Sequence, residues 1–495
     1  MNNATNKQVL PSLIQDVLHQ PGQCIDNLFA SLWKQLKFNG LINRCMLTKR
    51  SGIPINEAIF LLLLWKWVDC TSISVFSKRS LSSFSLAQKD VIYDLLKRED
   101  ADWRNLNLAT AKQVYLQRKI SNHKLKAYVL DDSIKQRRGK KMEGAACHFD
   151  HTEGRHVMGQ QVLTLGLVSD EVFLPLDSQI FVSDSRAIEL NHPFKDQRSI
   201  IAKRYKEATT LSKPEMAEQM LKRVKKQGIK ADYLIADAWF GTKAIIKTAL
   251  AQQLTPVLRM KKNKTKYRVQ IGGKSQNLDA KELYQRLVKK QWRKVHNMPY
   301  RAVEIDVELS LSESNEKADK WIKAKLLFVR GLKDDATAQA SQKDWALFLT
   351  TDTTMGLSKM LEIYALRWAI EVYFKEAKQH LGFLQEQTRS FASHIASIHL
   401  TAIRYLMLVY AKCEYDDLRV CDMRASIKDQ LKTLDYAQRL WHLFRALICN
   451  ALDKISVSLG ETADEIIQAI DRQVECFFVN ALQLDVFTMK MEFEA

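Results

Sequence analysis

Glycine and proline are scarce in this chain, at 16 and 8 of 495 residues. Because these residues interrupt regular structure, their scarcity predicts a fold rich in helix. The eight cysteines include no C-x-x-C pair. Their scatter argues against a disulfide-stapled scaffold and favours free thiols in a reducing, cytoplasmic compartment. Acidic residues are also in deficit, with 56 against 75 lysines and arginines and a net charge of +19. That excess of positive charge favours a polyanionic partner.

Long hydrophobic runs are missing as well. The most apolar uncharged segment, AIFLLLLW at residues 58–65, is far shorter than the roughly 20 residues that a membrane-spanning helix needs. The first residues, MNNATNKQVLPSLIQDVL, have no basic stretch followed by a long apolar one, so we expect no signal peptide and no membrane partner. With 46% hydrophobic and 26% charged residues, the chain can bury real cores, and its length predicts two to four structural units.

Hydrophobic periodicity divides the chain into five segments. The first is helical, and the second predicts three strands followed by helix, strand, helix and strand, the pattern of an α/β sheet covered by helices. The third is a β-rich insertion, in which strict alternation over 303–311 predicts a half-buried antiparallel strand. The fourth and fifth return to helix. The five segments are 1–122, 123–262, 263–345, 346–412 and 413–495.

A stretch at residues 364–382, YALRWAIEVYFKEAKQHLG, places one carboxylate among cations. On a continuous helix with about 100° per residue, Tyr364, Arg367, Glu371 and Lys378 project within about 60° of one another. Taken alone, such a polar stripe is most often a solvated helix face.

Two further acidic sites follow strands of the predicted sheet. Asp131 and Asp132 close the strand YVLDD, and Asp237 closes DYLIAD. A single aspartate there is usually a cap or turn residue, but the carboxyl ends of adjacent strands are also where open α/β sheets bind ligands. With Glu371 these residues form a three-carboxylate set. Such a set suits magnesium, and two such ions can assist both the attacking and the leaving oxygen in phosphodiester transfer.

At these residues the chain resembles a known family. The spacing Y-x2-R-x3-E-x6-K over residues 364–378 resembles the signature of the DDE transposases of the insertion-sequence-four type. The resemblance covers about residues 123–400. It implies an α/β, ribonuclease H-like mixed sheet with a β-rich insertion, flanked by helical N-terminal and C-terminal regions, the first of which binds DNA. It also implies two Mg²⁺ ions, replaceable by Mn²⁺, and a homodimer that cleaves transposon ends in double-stranded DNA and joins them to target DNA.

Transferred residue by residue, the resemblance makes Asp237 and Glu371 the second and third metal-binding catalytic carboxylates. The first is Asp131 or Asp132, and only one of them reaches the metals because neighbouring strand residues point to opposite faces. We predict Asp132, since the family places this aspartate before Thr or Ser and Ser133 follows it. The resemblance places the remaining signature residues near transposon-end phosphates. These are Tyr364, Arg367 and Lys378.

Other residues are candidates for DNA contact. By the resemblance, Trp345 stacks on a base flipped from the transposon end, and the alternative is a core residue of the apolar strand WALFLTT. Two basic runs adjoin the carboxylate-bearing strands and predict phosphate contacts. Their candidate residues are Arg137, Arg138, Arg259, Lys261, Lys262 and Lys264. The nearby set Cys147, His148, His151 and His156 matches no zinc-site spacing and predicts only a loop or hairpin.

Two alternatives to a transposase stay open. A ribonuclease H-like nuclease would hydrolyse DNA without joining it, and the Y-R-E-K spacing argues against this reading. A DNA-binding transposase relative without catalysis is the second, and the presence of candidates for all three carboxylates argues against it.

Overall fold

The computed structural model describes residues 28–432, except 69, 86, 151–152, 290, 297, 313–320, 332–344, 387 and 414–418. His151 and the predicted helices beyond residue 432 therefore lie outside the described residues. The described part forms two compact units. A helical unit contains residues 28–114, 191–202 and 377–432, and a sheet unit contains residues 115–190 and 203–376. The five predicted segment boundaries stay predictions.

The α-helices begin and end as follows. They are α1 Leu28–Gln35, α2 Phe38–Arg44, α3 Ile55–Leu64, α4 Ile73–Arg79, α5 Leu81–Phe84, α6 Lys89–Leu96, α7 Trp103–Gln117, α8 Ile200–Thr210, α9 Lys213–Lys226, α10 Lys243–Ala251, α11 Ala280–Leu283, α12 Leu357–Ala365, α13 Trp368–Gln379 and α14 Phe391–Lys412. A 3₁₀ turn spans Ile120–Asn122, a π-helical turn spans Tyr284–Val288, and residues 420–432 are helical.

The core of the helical unit is α14. By length and composition alone this helix could cross a membrane, but its apolar window is completely buried within the structure, as expected for the central helix of a globular unit. The buried Arg404 guanidinium donates hydrogen bonds to the carbonyls of Leu62 and Leu63 near the end of α3, and to the carbonyl of Leu381. Arg404 thus satisfies carbonyls that helix ends leave without intrahelical partners.

The strands of the sheet unit are bounded as follows. They are β1 Lys126–Gln136, β2 Ala146–Asp150, β3 Arg155–Ser169, β4 Phe173–Phe181, β5 Tyr233–Ala236, β6 Thr255–Met260, β7 Lys266–Ile271, β8 Lys274–Asp279, β9 Arg293–Lys294, β10 Tyr300–Ser310, β11 Trp321–Gly331 and β12 Ala346–Thr350.

These strands form one mixed sheet in the order β2-β3-β1-β5-β6-β12-β11-β10-β7-β8, with β4 paired to β3 and β9 paired to β10. The pairs β1–β5 and β5–β6 are parallel, and the other pairs are antiparallel. The mixed sheet with its accompanying helices confirms the predicted α/β class and agrees with a ribonuclease H-like domain. The predicted insertion is β-rich, and its strands continue the same sheet through β12 rather than forming a separate one.

Local sequence explains the elements that carry the site. Helix α9 begins with a capping box between Ser212 and Glu215 and has Pro214 in its first turn, features that favour a helix start. Strand β10 alternates as predicted, with Val303 and Val307 buried and Glu304 and Asp306 exposed. Strands β1 and β5 are apolar up to Leu130 and Ala236, where the acidic residues begin.

The predicted continuous helix over residues 364–382 is wrong. Helix α12 ends at Ala365 and α13 begins at Trp368. Between them the amides of Leu366, Arg367, Ala369 and Ile370 bond the carbonyls three residues earlier. This three-residue pattern winds the chain more tightly than an α-helix and separates Tyr364 from Glu371 onto different helices.

Candidate catalytic site

Three neighbouring strands place polar residues side by side on one face of the sheet, just past the last residues of their parallel pairing. Leu130 of β1 pairs with Ala236 of β5, and Ala236 pairs with Leu258 of β6. The residues that directly follow these three in the chain are Asp131, Asp237 and Arg259. Side chains at matching positions of adjacent parallel strands point to the same face. The sheet therefore presents two carboxylates and one guanidinium in a row.

Asp131 and Asp132 point to opposite faces of β1. Asp131 Oδ2 accepts a hydrogen bond from Arg367 Nη1 at 2.9 Å. Asp132 instead accepts from Lys213 Nζ at 2.6 Å through Oδ2 and from Gln161 Nε2 at 2.9 Å through Oδ1. The sequence pattern favours Asp132 as the first carboxylate, whereas the geometry favours Asp131.

Arg367 links the third candidate carboxylate to this face. Its Nη2 donates to Glu371 Oε1, and its Nη1 donates to Asp131, so one guanidinium bridges two carboxylates. Arg367 lies in the tight turn before α13, and Glu371 lies in the first turn of α13. A carboxylate in this first turn also interacts favourably with the helix dipole. Thus the break between α12 and α13 sets Arg367 between Asp131 and Glu371.

Tyr364 belongs to the same cluster. Its ring packs edge-on against Phe348, with centroids 4.6 Å apart, and Phe348 of β12 pairs with Arg259 of β6. Burial raises the pKa of the Tyr364 hydroxyl, whereas the nearby charges of Arg367 and Arg259 oppose that shift. The phenol therefore stays protonated at neutral pH and can donate a hydrogen bond.

The Asp131 carboxyl has an unusual affinity for protons. Burial and, to a smaller extent, the neighbouring Asp237 charge raise its pKa to about 7, and the Arg367 guanidinium opposes both effects. A neighbouring carboxylate charge disfavours the ionised form of Asp131. Such a perturbed group at the end of parallel strands is a candidate for function.

The loop after Asp237 holds this carboxylate through backbone donors. Asp237 Oδ1 accepts from the amides of Trp239 at 2.9 Å and Phe240 at 3.3 Å. Gly241 completes the D-A-W-F-G sequence, and a Cβ there would lie 2.2 Å from the carbonyl oxygen of Arg259. Glycine is therefore required where this loop crosses the β6 backbone.

The site has the oxygen donors that a hard divalent cation prefers, but these donors are not yet arranged around a common point. Among residues that the structure describes, no three His, Cys, Asp or Glu side chains already form a group that could hold a metal ion. Instead, the Arg367 guanidinium supplies the positive charge between Asp131 and Glu371. The donors available are carboxylate oxygens, which magnesium and manganese prefer. The residues that could hold the ions are Asp131, Asp237 and Glu371.

Trp345 is a buried member of an aromatic cluster. Only 3% of it is exposed, it stacks on Tyr284 with centroids 4.9 Å apart, and it contacts Phe328. Lys262 Nζ lies 4.1 Å from the centre of the indole. This environment is that of the core residue that the sequence left as an alternative to base stacking.

The other predicted DNA contacts lie at several places. Arg259, Lys261, Lys264 and Arg138 are exposed. Arg137 is less so, and its Nε donates to Gln160 Oε1 at 2.9 Å. Lys378 lies in the last turn of α13, in the part of that helix that belongs to the helical unit.

Two residues of the sheet unit were missed from sequence. Lys213 and Gln161 bind Asp132, and both are buried. No local sequence pattern marks either residue, because their contacts with Asp132 join residues 81 and 29 positions apart.

Comparison with known families agrees with this geometry. Residues 80–304 match the family model described as DDE superfamily endonuclease. The matched range includes Asp131, Asp132 and Asp237 and ends before Glu371. A search of curated proteins finds no match. The family match supports a DDE transposase-like nuclease, a class of enzyme that acts on DNA and generally uses divalent metal ions.

Proposed function

We propose that this protein is a transposase of the insertion-sequence-four type, which cleaves transposon ends and joins them to target DNA. The proposal rests on one observation above all: Asp131 and Asp237 share a face at adjacent strand ends, and Arg367 connects Asp131 to Glu371. The match to DDE endonucleases supports the nuclease part of this activity. The Y-R-E-K residues and the net charge of +19 support the transposase part.

The three carboxylates in this proposal are Asp131, Asp237 and Glu371, with Asp131 in the position first given to Asp132. Bound Mg²⁺ or Mn²⁺ would activate the attacking oxygen and stabilise the leaving one. In the free protein the Arg367 guanidinium lies between Asp131 and Glu371 and balances their negative charge. When bound ions neutralise those carboxylates, the guanidinium becomes free to bind a DNA phosphate. Tyr364, beside Arg367, keeps its hydroxyl protonated and so offers a hydrogen-bond donor to a DNA phosphate.

Further features complete the proposal. The protein acts in the bacterial cytoplasm on nucleoid DNA, and two copies pair on the transposon ends. The exposed cations Arg259, Lys261 and Lys264 supply phosphate contacts, and Lys378 adds one from the end of α13. Trp345 acts as a core residue, since stacking on a base would require it to leave Tyr284 and Phe328.

The test uses a labelled duplex that carries the inverted repeat found beside the coding region, incubated with the purified full-length protein and Mg²⁺. A transposase cleaves at the repeat and transfers the labelled 3′ end into a second duplex. Cleavage without transfer would favour the hydrolytic nuclease. Retention of the duplex with neither product would favour the DNA-binding relative without catalysis.

A further inference from the structure

The strand ladder that brings the two aspartates together stops just before them. Strands β1 and β5 pair from Ala127–Tyr233 to Leu130–Ala236. Asp131 and Asp237 follow the last pair, and the chain after Asp237 leaves the sheet as a turn. Backbone hydrogen bonds of this ladder therefore do not fix the separation of the two carboxylates.

On the other face of the sheet, the ammonium group of Lys213 contacts both β1 and the loop that follows β5. Lys213 Nζ lies 2.6 Å from Asp132 Oδ2 and 4.1 Å from the centre of the Trp239 ring. Asp132 directly follows Asp131, and the amide of Trp239 binds the Asp237 carboxylate. Lys213 thus contacts Asp132, which is next to Asp131 in the chain. It also contacts Trp239, whose amide donates a hydrogen bond to Asp237.

Lys213 has little access to water. It is 5% exposed, and it begins α9 next to the Ser212–Glu215 capping box. A buried ammonium is stable only with a close anion or aromatic face, and Lys213 has both. If the contacts with Asp132 and Trp239 were lost, the Lys213 ammonium would be a buried charge without a partner, and its side chain would have to move.

Asp132 is the acidic partner of Lys213, and the nearby His148 side chain does not alter the charge of this pair. Burial and, to a smaller extent, the Lys213 charge lower the pKa of His148 to about 4, and Asp132 opposes both effects. His148 is therefore neutral at pH 7 and adds no charge to the pair. Gln161 donates to the second Asp132 oxygen, so both oxygens of this carboxylate are engaged away from Asp131.

We propose that Lys213 is a positioning residue for the metal site: it clamps the β1 end to the loop after β5 through Asp132 and Trp239, and so sets the spacing of Asp131 and Asp237. This inference rests on the proposed function, because the spacing matters only if the two carboxylates share metal ions. It also gives Asp132 a role that does not require contact with metal.

The test compares Mn²⁺ binding by full-length variants, with free Mn²⁺ measured by electron paramagnetic resonance. Lys213→Met keeps the length of the side chain without its charge, and Lys213→Arg keeps the charge. Because loss of a group that orients metal ligands typically weakens metal binding about 10- to 100-fold, we expect Lys213→Met to raise the Mn²⁺ Kd at least tenfold. Lys213→Arg should recover most of this loss.

Arg223→Met is the matched control. Arg223 lies on the same helix α9 and pairs with the buried Asp177 at 2.8 Å; Asp177 belongs to β4, which β3 separates from β1. It should lower the unfolding temperature as much as Lys213→Met does while leaving the Mn²⁺ Kd unchanged. Equal Mn²⁺ Kd values for Lys213→Met and Arg223→Met would overturn the positioning role.

Trp239→Leu provides a second route if Lys213→Met does not fold. This variant removes the aromatic face but keeps the Asp132 ion pair, and Trp239 is no candidate metal ligand. A raised Mn²⁺ Kd supports the clamp, and an unchanged one contradicts it. If the unaltered protein binds no Mn²⁺ and cleaves no DNA, the proposed function itself fails, a result distinct from normal Mn²⁺ binding in all variants.

Discussion

At the scale of single residues, Asp131 differs most from an ordinary exposed aspartate. Burial raises its pKa from 3.8 to about 7. Between these values the unfolded chain has lost the proton that the folded protein still binds, so metal-free stability falls as pH rises from about 4 to about 7. The Asp131→Asn variant has no titrating carboxyl at this position, so it does not show this fall in stability. Its free energy of unfolding should therefore rise relative to that of the unaltered protein across this range, measured by urea unfolding in chelator. A constant difference from pH 4 to pH 8 would show that Asp131 titrates normally.

The same carboxylates predict a response to metal. At pH 8 Asp131 is ionised beside Asp237, and a divalent ion that binds only the folded protein stabilises it. We expect Mn²⁺ to raise the unfolding temperature of the unaltered protein and of Arg223→Met, but not of Asp131→Asn or Glu371→Gln. An equal rise in all four proteins, measured by calorimetry, would place the ion elsewhere.

Residue types and spacing identify Asp237 and Glu371 as candidates without a structure, but they cannot choose between Asp131 and Asp132. The choice depends on which face of β1 lies toward α13 and which toward α9, a property of the whole sheet. The contacts of Lys213 and Arg367 with the two aspartates carry that information. Neither contact is local in sequence, because the partners are 81 and 236 positions apart.

At the scale of elements, Arg404 joins α14 to the end of α3 and to Leu381 in the helical unit. Burial lowers its pKa to about 10, so it remains charged at pH 7. Arg404→Met leaves the three carbonyls without this donor. We expect a loss of about 3 kcal/mol or more in the free energy of unfolding, since hydrogen bonds to charged groups each contribute about 1.5–3 kcal/mol.

Urea unfolding followed by circular dichroism measures this loss. Arg79→Met removes an exposed arginine from the same unit, and surface changes of that kind usually alter stability by less than about 0.5 kcal/mol. Similar values for the two variants would mean that the Arg404 hydrogen bonds add nothing to the packing of α14.

The order of elements from β1 to β6 follows from local patterns, because strands and helices there have clear apolar periods and good caps. Strands β1, β3, β4, β5 and β6 and helices α9 and α10 follow the predicted order of three strands, helix, strand, helix and strand, whereas β2 and α8 were not predicted. The turn at Leu366 and Arg367 was not predicted either, since the sequence has no glycine or proline there. The turn also places Arg367 against Asp131, 236 positions away in the sequence, and periodicity does not reveal such a contact. The pairing of the inserted strands with β12 is likewise non-local.

At the scale of the whole molecule, the net charge of +19 predicts DNA binding with a strong salt dependence. Each phosphate contact contributes a slope of about −0.9 to the plot of log K against log salt. Changing Lys261, Lys262 and Lys264 to Gln should reduce the slope by about two units. Lys262 contributes least, because it covers the Trp345 ring.

Fluorescence anisotropy of a labelled duplex at several salt concentrations measures that slope. The control changes three exposed lysines at the far end of α9 and just beyond it to Gln. These residues are Lys222, Lys226 and Lys230. The two triple variants have the same net charge, so equal slopes would show that the run after β6 makes no special contact with phosphate.

The most direct test of the account is metal-dependent end cleavage by Asp131→Asn and Asp132→Asn, with Asp237→Asn and Glu371→Gln for comparison. Asp131→Asn should be as inactive as the latter two at every Mn²⁺ concentration, because a metal ligand is gone. Asp132→Asn loses only the clamp to Lys213, so raising Mn²⁺ should restore cleavage. If Asp132→Asn stays inactive at high Mn²⁺ while Asp131→Asn cleaves the DNA, the assignment of the catalytic face is contradicted.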